Sequence, residues 1–222
     1  MWVTVAHGER PDRGADAVEA PVAQFLARQH GVPPHRAVRR LVASGGSQSG
    51  WMQVATVYSP HGGFHYEVTD EGGSSYVRTK VLRALLDNER QLIGKGESGR
   101  AAFTPENYTF RADGLDPAGL ATVLLSPRRK DPELVAGTMF LRPDTGEIVR
   151  LEGQLAKSPS FWIKRVKIVR TYDRVGGVVL PVLLESDAEL RMFGRATLRM
   201  TYDYAEIDGR AVPPARQALA TY

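Results

Sequence analysis

Cysteine is absent from this chain of 222 residues. Its absence excludes a disulfide framework, thiolate zinc sites and a thiol nucleophile, but it does not decide the cellular compartment. Also missing is any run of roughly 18 apolar residues, the length that a membrane-spanning helix needs. Residues 1–16 contain no apolar stretch typical of a signal peptide. We therefore expect no membrane span, and either a cytoplasmic protein or an exported protein whose signal has been removed.

A dominant charge of one sign is missing as well. The 29 basic and 25 acidic residues give a formal net charge of +4. Because the two signs are well mixed along the chain, the sequence does not indicate nucleic-acid binding. The hydrophobic fraction of 42% and the charged fraction of 24% are typical of folded soluble proteins. We expect a flexible arm at residues 1–15 and a single domain at residues 16–222.

Glycine and proline are abundant, with 22 and 14 residues. They separate short apolar runs throughout the chain, a pattern that favours strands joined by turns. After a predicted helix over residues 19–30, the segments 36–43, 50–59 and 64–70 form a predicted three-stranded meander. Everything after Asn107 has the pattern of further strands, which brings the predicted total to about eleven.

The strongest predicted helix covers residues 76–93, with Ser75 as its predicted cap. An apolar stripe runs along one face of this helix, and charged residues occupy most of the remaining positions. The helices are grouped near the first third of the chain and do not alternate with the strands. This order predicts an α+β protein that is mostly β, with a large antiparallel sheet covered by helices, and argues against a nucleotide-binding α/β fold.

Three short motifs match catalytic patterns but lack the context that the chemistry requires. Residues 46–50 spell G-x-S-x-G around Ser47, yet a strand is predicted where a nucleophile elbow needs a helix. The glycines at positions 94, 96 and 99 spell G-x-G-x-x-G, but a helix precedes them where a phosphate-binding loop needs a strand. The triplet at residues 144–146, D-T-G, has no second copy to form a carboxylate pair. We interpret all three as turns or linkers.

The five histidines are scattered and lack the spacing of metal ligands. With no convergent acid, base and nucleophile, we predict a protein without catalytic residues, metal or cofactor, and not an enzyme. The densest basic runs, residues 128–130 and 164–170, are interpreted as a solvated loop and sheet face. Contact with anionic lipid headgroups is the alternative interpretation.

Aromatic and aliphatic positions on the strands and on the predicted helix are candidates for lining a hydrophobic ligand cavity. Plain core packing explains the same residues equally well, and the sequence leaves both interpretations open. The candidates are Trp51, Phe64, Tyr66, Val81, Leu82, Leu85, Leu86, Leu198, Met200 and Tyr202.

Two stretches carry a family resemblance: residues 71–89 (EGGSSYVRTKVLRALLDNE) and residues 146–204, which end in FGRATLRMTYDY. They resemble a bacterial family of uncharacterised envelope proteins, which is remotely similar to the lipoprotein-carrier (LolA-like) superfamily. The likeness covers roughly residues 36–209. It implies a curved, unclosed antiparallel half-barrel whose apolar concave face holds acyl chains beneath a lid of helices. It also implies a periplasmic or envelope location, and it assigns no ligand-contacting residue.

On these grounds we expect a non-enzymatic carrier of the bacterial cell envelope that binds a lipid or an acylated protein and does not bind nucleic acid. In this interpretation the helix at residues 76–93 covers the cavity. The alternative is an envelope scaffold or sensor with a packed interior, which binds another protein through an edge strand or a basic face. An open apolar cavity above about 300 Å³ favours the carrier, and a packed interior favours the scaffold.

Overall fold

A computed structural model describes residues 13–28, 31–192 and 194–213, and in this part of the chain eleven strands pair into one sheet. The strands are β1 (His35–Gly45), β2 (Gln48–Ser59), β3 (Gly63–Gly73), β4 (Tyr108–Leu115), β5 (Ala121–Pro127), β6 (Val135–Leu141), β7 (Ile148–Leu155), β8 (Ile163–Val175), β9 (Val178–Leu190), β10 (Gly194–Ile207) and β11 (Arg210–Ala211). Their order is β3-β2-β1-β10-β9-β8-β7-β6-β5-β4, with β11 beside β10. Because β3 and β4 end this order without pairing with each other, the antiparallel sheet is not closed.

Two helical segments pack against the sheet. The first is α1 (Arg13–Ala27), and the second runs through α2 (Ser75–Val77), a π-helical turn (Arg78–Arg83) and α3 (Ala84–Gly94). We call the second segment, residues 75–94, the helical cover. A 3₁₀ turn (Glu97–Ala101) follows it. The predicted fold class, a mostly β protein with an open antiparallel sheet and helices against it, is therefore confirmed.

Several boundaries differ from the sequence-based expectation. The first helix begins at Arg13, inside the expected arm; residues 1–12 of that arm lie outside the described residues. The cap of the helical cover is Ser74 in place of Ser75, because the Ser74 hydroxyl accepts the Val77 N–H at 3.4 Å. The predicted total of about eleven strands agrees with the structure only because the two-residue strand β11 is counted.

Alternation along β1 defines the two faces of the sheet. His35, Ala37, Arg39, Leu41 and Ala43 are buried, while the residues between them are exposed. We call the buried side the inner face and the opposite side the outer face. This period of two follows from the pleat, which directs successive side chains to opposite faces.

The pairing of β1 with β10 joins the first three strands to the rest of the sheet. In this register Leu41 lies opposite Met200 on one side and opposite Met52 of β2 on the other. All three side chains are at most 3% exposed. The main core therefore crosses the boundary between the two strand meanders.

Two glycines face each other where β6 and β7 pair. Gly137 is paired with Gly153, and a Cβ atom on Gly137 would lie 2.0 Å from the carbonyl oxygen of Glu152. A Cβ on Gly153 would lie 2.4 Å from the carbonyl oxygen of Ala136. Glycine within a strand marks such close backbone approach, so both positions require the absence of a side chain.

We predict that Gly137→Ala lowers the free energy of unfolding by about 3 kcal/mol, because the backbone of β7 must move to admit the methyl group. The matched control is Gly99→Ala, since a Cβ there meets no atom within 4 Å. Its effect should stay within about 0.5 kcal/mol. Urea unfolding followed by circular dichroism measures both values, and equal midpoints for the two variants would contradict the close approach.

Candidate functional site

The helices cover the two edges of the sheet, near β3 and near β4, more than the strands in its middle. α1 packs mainly against β4, β5 and β6, and the helical cover packs against β1, β2 and β3. The inner face of β7 to β10 lies between these two layers. Apolar side chains there pack on the core but remain partly exposed, and we call them the open inner face: Leu155, Ile163, Ala188 and Leu198.

A polar cluster adjoins this apolar surface. We call it the central cluster, and it consists of Arg39 (β1), Glu89 (α3), Arg170 and Tyr172 (β8), and Tyr202 (β10). Three strands and the helical cover contribute to it. Its net charge is that of two guanidinium groups and one carboxylate, so the cluster is cationic.

Arg39 is the buried anchor of the central cluster. Its guanidinium donates to both carboxylate oxygens of Glu89, at 2.7 Å and 3.2 Å. The same group lies 4.8 Å from the ring centroid of Phe64 and 4.9 Å from that of Tyr202. Burial alone would lower the pKa of Arg39, but the attraction of Glu89 raises it on balance. Arg39 therefore stays charged inside the core, stabilised by one carboxylate and two aromatic faces.

Arg170 is the second cation of the central cluster. It lies opposite Leu151 and Leu184, both buried, so its side chain extends over the inner face. It donates a hydrogen bond to Tyr172, while its Nε is buried and has no partner among the described residues. Burial opposes its charge, but Tyr172, Tyr202 and Glu89 together raise its pKa. The inner face thus presents a permanent cation beside apolar surface.

Tyr202 and Tyr204 stay neutral. Burial raises the pKa of Tyr202, against the opposing effect of Arg39 and Arg170. The neighbouring Tyr204 ring stacks on Tyr202 with centroids 6.2 Å apart, and its hydroxyl donates to the Pro181 carbonyl at 2.8 Å. These groups therefore act as hydrogen-bond donors and as apolar surface, and they do not contribute negative charge.

Polar contacts also hold the helical cover onto the sheet. Glu71 of β3 accepts from Arg78 at 2.5 Å and from Arg83 at 3.0 Å. The Tyr66 hydroxyl donates to Asp87 at 2.8 Å. With the Arg39–Glu89 pair, these contacts link the π-helical turn and α3 to β1 and β3, so the cover is fixed by charge-assisted hydrogen bonds as well as by packing.

The ten cavity candidates from the sequence fall into three groups. Two do not face the interior: Trp51 lies on the outer face of β2, with the Arg40 guanidinium 4.7 Å from its ring, and Val81 is 39% exposed. Four are buried in the packed core: Phe64, Leu82, Leu86 and Met200. Four are partly buried: Tyr66, Leu85, Leu198 and Tyr202. The region beneath the helical cover is therefore packed.

The two outward positions have simple physical reasons. On β2, the register pairs Met52 with inward-facing Leu41, so its neighbour Trp51 must point to the opposite face. Val81 lies in the π-helical turn, where each turn contains more residues than in an α-helix. A stripe drawn with a period of 3.6 residues therefore loses its phase there.

Sequence reasoning missed the central cluster. Arg170 was grouped with a basic run on a solvated sheet face, but it shares a face with Val166 and Ile168, both buried. The pattern that could have revealed it is the alternation along β8, in which Arg170 follows Val166 and Ile168 at every second position. The approach of Glu89 and Arg39 depends on how the cover sits on the sheet, which no local pattern reveals.

The three catalytic-looking motifs lie in turns or helix ends, as predicted. Ser47 occupies the two-residue turn between β1 and β2, and a strand follows it. The glycine at position 94 ends α3, and the D-T-G triplet lies in the turn before β7. Among the described residues, no group of three or more His, Asp or Glu side chains is placed to hold a metal ion.

A small cavity of about 280 Å³ lies near the start of β7 and the end of β8, far from the loop that joins these two strands. Arg142, Glu147, Asp173 and Arg174 are among its lining residues, together with Tyr172. Ligand pockets usually enclose 300 to 1,000 Å³ with mostly apolar walls. This charged recess does not meet that description, so the open inner face and the central cluster form the better candidate site.

No family model matches the chain, and no curated protein matches it. Solved structures with a similar chain path include a DUF1329 family protein from Desulfovibrio piger, with 8% identity over 84% of this chain and 91% of that chain, and a TM-score of 0.42. Another is a LolA superfamily protein from Nitrosomonas europaea, with 9% identity, 88% and 94% coverage, and a TM-score of 0.43. A third is MucB in complex with MucA, with 12% identity, 90% and 98% coverage, and a TM-score of 0.22.

One of these neighbours is named for the LolA superfamily, the superfamily that the sequence resembles remotely. The TM-scores describe a remote likeness of fold. None of the helices in the described residues is long and apolar enough to cross a membrane.

We predict that Arg39→Met lowers the free energy of unfolding by about 2 kcal/mol, because Glu89 loses its partner while remaining partly buried. Adding Glu89→Gln should recover part of this loss, since the neutral amide leaves no unpaired charge. Arg40→Met is the matched control, because Arg40 lies next in sequence on the outer face. Urea unfolding of the wild type and of these three variants measures the change in the free energy of unfolding that each one causes. Equal effects of Arg39→Met and Arg40→Met would contradict the anchoring role.

The stability should also fall as the pH drops below about 6.5, the ordinary histidine value. Burial lowers the pKa of His35, whose Nδ1 donates to the Pro33 carbonyl at 2.9 Å, with Arg39 opposing and Glu89 favouring protonation. The unfolded state therefore binds the proton more readily, and stability present above pH 6.5 is lost towards lower pH.

The measurement is the free energy of unfolding between pH 7.5 and pH 5.5. His35→Phe keeps the ring between Tyr58 and Tyr204 and should flatten this dependence. His65→Phe, at an exposed position of β3, should retain it. The same slope in both variants would show that His35 is not the group responsible.

Proposed function

We propose that this protein is a non-enzymatic binder of an acyl chain, carried by a lipid or a lipid-modified protein, and that the chain lies along the open inner face. The observation that carries the proposal is the partly exposed apolar surface of β7 to β10 between two helical layers. Each buried methylene contributes roughly 0.8 kcal/mol, so a chain of moderate length gains enough to bind.

The central cluster suits the polar end of such a ligand. Arg170 keeps its charge, its buried Nε has no partner among the residues that the structure describes, and the hydroxyls of Tyr172 and Tyr202 lie near it. A carboxylate or phosphate oxygen would accept charge-assisted hydrogen bonds from these groups. An amphipathic ligand therefore fits the site better than a purely apolar one.

We place this activity in the bacterial cell envelope, in the periplasm. The support is the resemblance of residues 71–89 and 146–204 to a family of envelope proteins. A cytoplasmic location is the alternative. The ligand in the first case is a membrane lipid or an acylated protein in transit, without nucleic acid or cofactor.

A scaffold or sensor that binds another protein is the second candidate function. The observation in its favour is the packed region beneath the helical cover, where Leu82 and Leu86 are fully buried. By the cavity criterion stated from the sequence, this packing favours the scaffold, so the carrier depends on the open inner face alone. In that function the inner face serves only as core, and an edge strand or a basic face recognises the partner. The two functions differ in whether a variant on the open inner face changes ligand binding.

The test is titration of the purified protein with a fluorescent C16 fatty acid, together with native mass spectrometry of protein isolated from its own host. We expect Leu198→Asp to weaken fatty-acid binding at least tenfold, because it places a charge on the open inner face. Thr197→Asp is the matched control, since the preceding residue is exposed on the outer face. Wild-type protein that binds no fatty acid and contains no lipid would refute the proposal.

A second comparison isolates the polar end of the ligand. Arg170→Met should weaken the fatty acid about tenfold while changing the binding of its methyl ester little. Arg199→Met, on the outer face of β10 in an exposed ion pair with Glu185, is the control. If Leu198→Asp reduces stability without any change in binding, the scaffold becomes the better interpretation.

A further inference from the structure

Three of the most exposed large apolar side chains lie together where β8 begins and β9 ends. Phe161 is 75% exposed, Trp162 is 59% exposed and Met192 is 68% exposed. We call these three residues the aromatic rim. The first two end the loop between β7 and β8, and Met192 lies in the turn between β9 and β10. Pairing of Ile163 with Leu190 brings the loop and the turn side by side.

The aromatic rim is held in place by Arg191. The Arg191 backbone N–H donates to the Trp162 carbonyl at 3.0 Å, and its Nε donates to the Phe161 carbonyl at 2.7 Å. Its guanidinium lies 5.3 Å from the Phe161 ring, and the Phe161 and Trp162 rings meet edge to face with centroids 5.5 Å apart. The rings are therefore fixed in an outward position while the backbone beneath them is well bonded.

Positive charge surrounds the aromatic rim. Residues 156–165 and 189–195 contain five cations and one anion, and Lys164 pairs with that anion, Glu189, at 2.7 Å. Glu189 also lies opposite Arg165 and Arg195 in the strand pairing, so one carboxylate faces three cations and the two segments keep an excess of positive charge. The five are Lys157, Lys164, Arg165, Arg191 and Arg195. Apolar surface and excess positive charge thus coincide at one end of the molecule.

We propose that the aromatic rim docks on the surface of an anionic lipid bilayer. Tryptophan and phenylalanine insert at the boundary between headgroups and acyl chains, and lysine and arginine bind the anionic headgroups beside them. A bilayer is favoured over a protein partner by charge complementarity, because the excess of cations beside the rim matches a continuous layer of anionic headgroups. This docking is separate from ligand binding on the inner face and does not require it.

The experiment is co-sedimentation of the whole protein with vesicles of phosphatidylcholine alone or mixed 3:1 with phosphatidylglycerol, at 50 mM and 500 mM salt. We expect binding to the anionic vesicles, at least tenfold weaker binding at high salt, and little binding to the neutral vesicles. Phe161→Ser combined with Trp162→Ser should reduce binding at least tenfold. The side chains are exposed, so circular dichroism and melting temperature should stay unchanged.

Leu115→Ser is the matched control, because Leu115 is 54% exposed at the opposite end of the sheet. It should bind vesicles like the wild type. Absence of vesicle binding, or binding that the double variant leaves unchanged, would overturn the proposal. A double variant that loses a specific protein partner, in a protein that never binds vesicles, would assign the rim to protein recognition. The fatty-acid titration contains no vesicles, so either proposal can fail without the other.

Discussion

The antiparallel pairing of β1 with β10 organises the rest of the structure. It places the first meander, β1 to β3, beside the end of the second, β4 to β10, and so unites strands that are more than 150 residues apart in the chain. Leu41, Met200 and Met52 meet across this boundary and give both meanders a common core. The same pairing brings Arg39 opposite Tyr202, which creates the first half of the central cluster. The core and the central cluster therefore depend on one long-range ladder, the kind of contact that slows folding.

The buried charge of Arg39 helps to hold the helical cover in position. A buried guanidinium costs free energy unless it is paired and hydrogen-bonded, and Arg39 meets this condition only while Glu89 of the cover is in place. The cover is thus required by the sheet beneath it as well as by its own apolar residues. Arg170 has no equivalent carboxylate within hydrogen-bond distance among the described residues, and its charge is stabilised by the hydrogen bond to Tyr172 and by the more distant Glu89. This difference in pairing separates Arg39, which is bound to the helical cover, from Arg170, which the proposed function assigns to the polar end of the ligand.

Much of the fold could be predicted from local patterns, because strands and turns are encoded by neighbouring residues. The alternation around Leu198 and Met200 and the apolar stripe containing Leu82 and Leu86 identified a strand and a helix that the structure contains. The candidate site was harder to predict. Trp51 was expected in a cavity, but the side to which a strand turns its aromatic residue depends on its neighbours in the sheet. Arg170 was missed because a basic run in sequence suggests solvent, whereas alternation along β8 places this one member inward.

The free edges of the sheet bear on the width of the inner face and so, under the proposed function, on the ligands that it can hold. In a closed barrel the number of strands and their stagger determine the bore, and a wider ligand must break a hydrogen-bond ladder. Here β3 and β4 each keep one unpaired edge, and no ladder joins them. Only side-chain packing and the two helical layers limit the separation between these edges. Under the proposed function, an acyl chain of greater or smaller thickness is therefore accommodated by repacking of side chains, without the loss of a hydrogen-bond ladder.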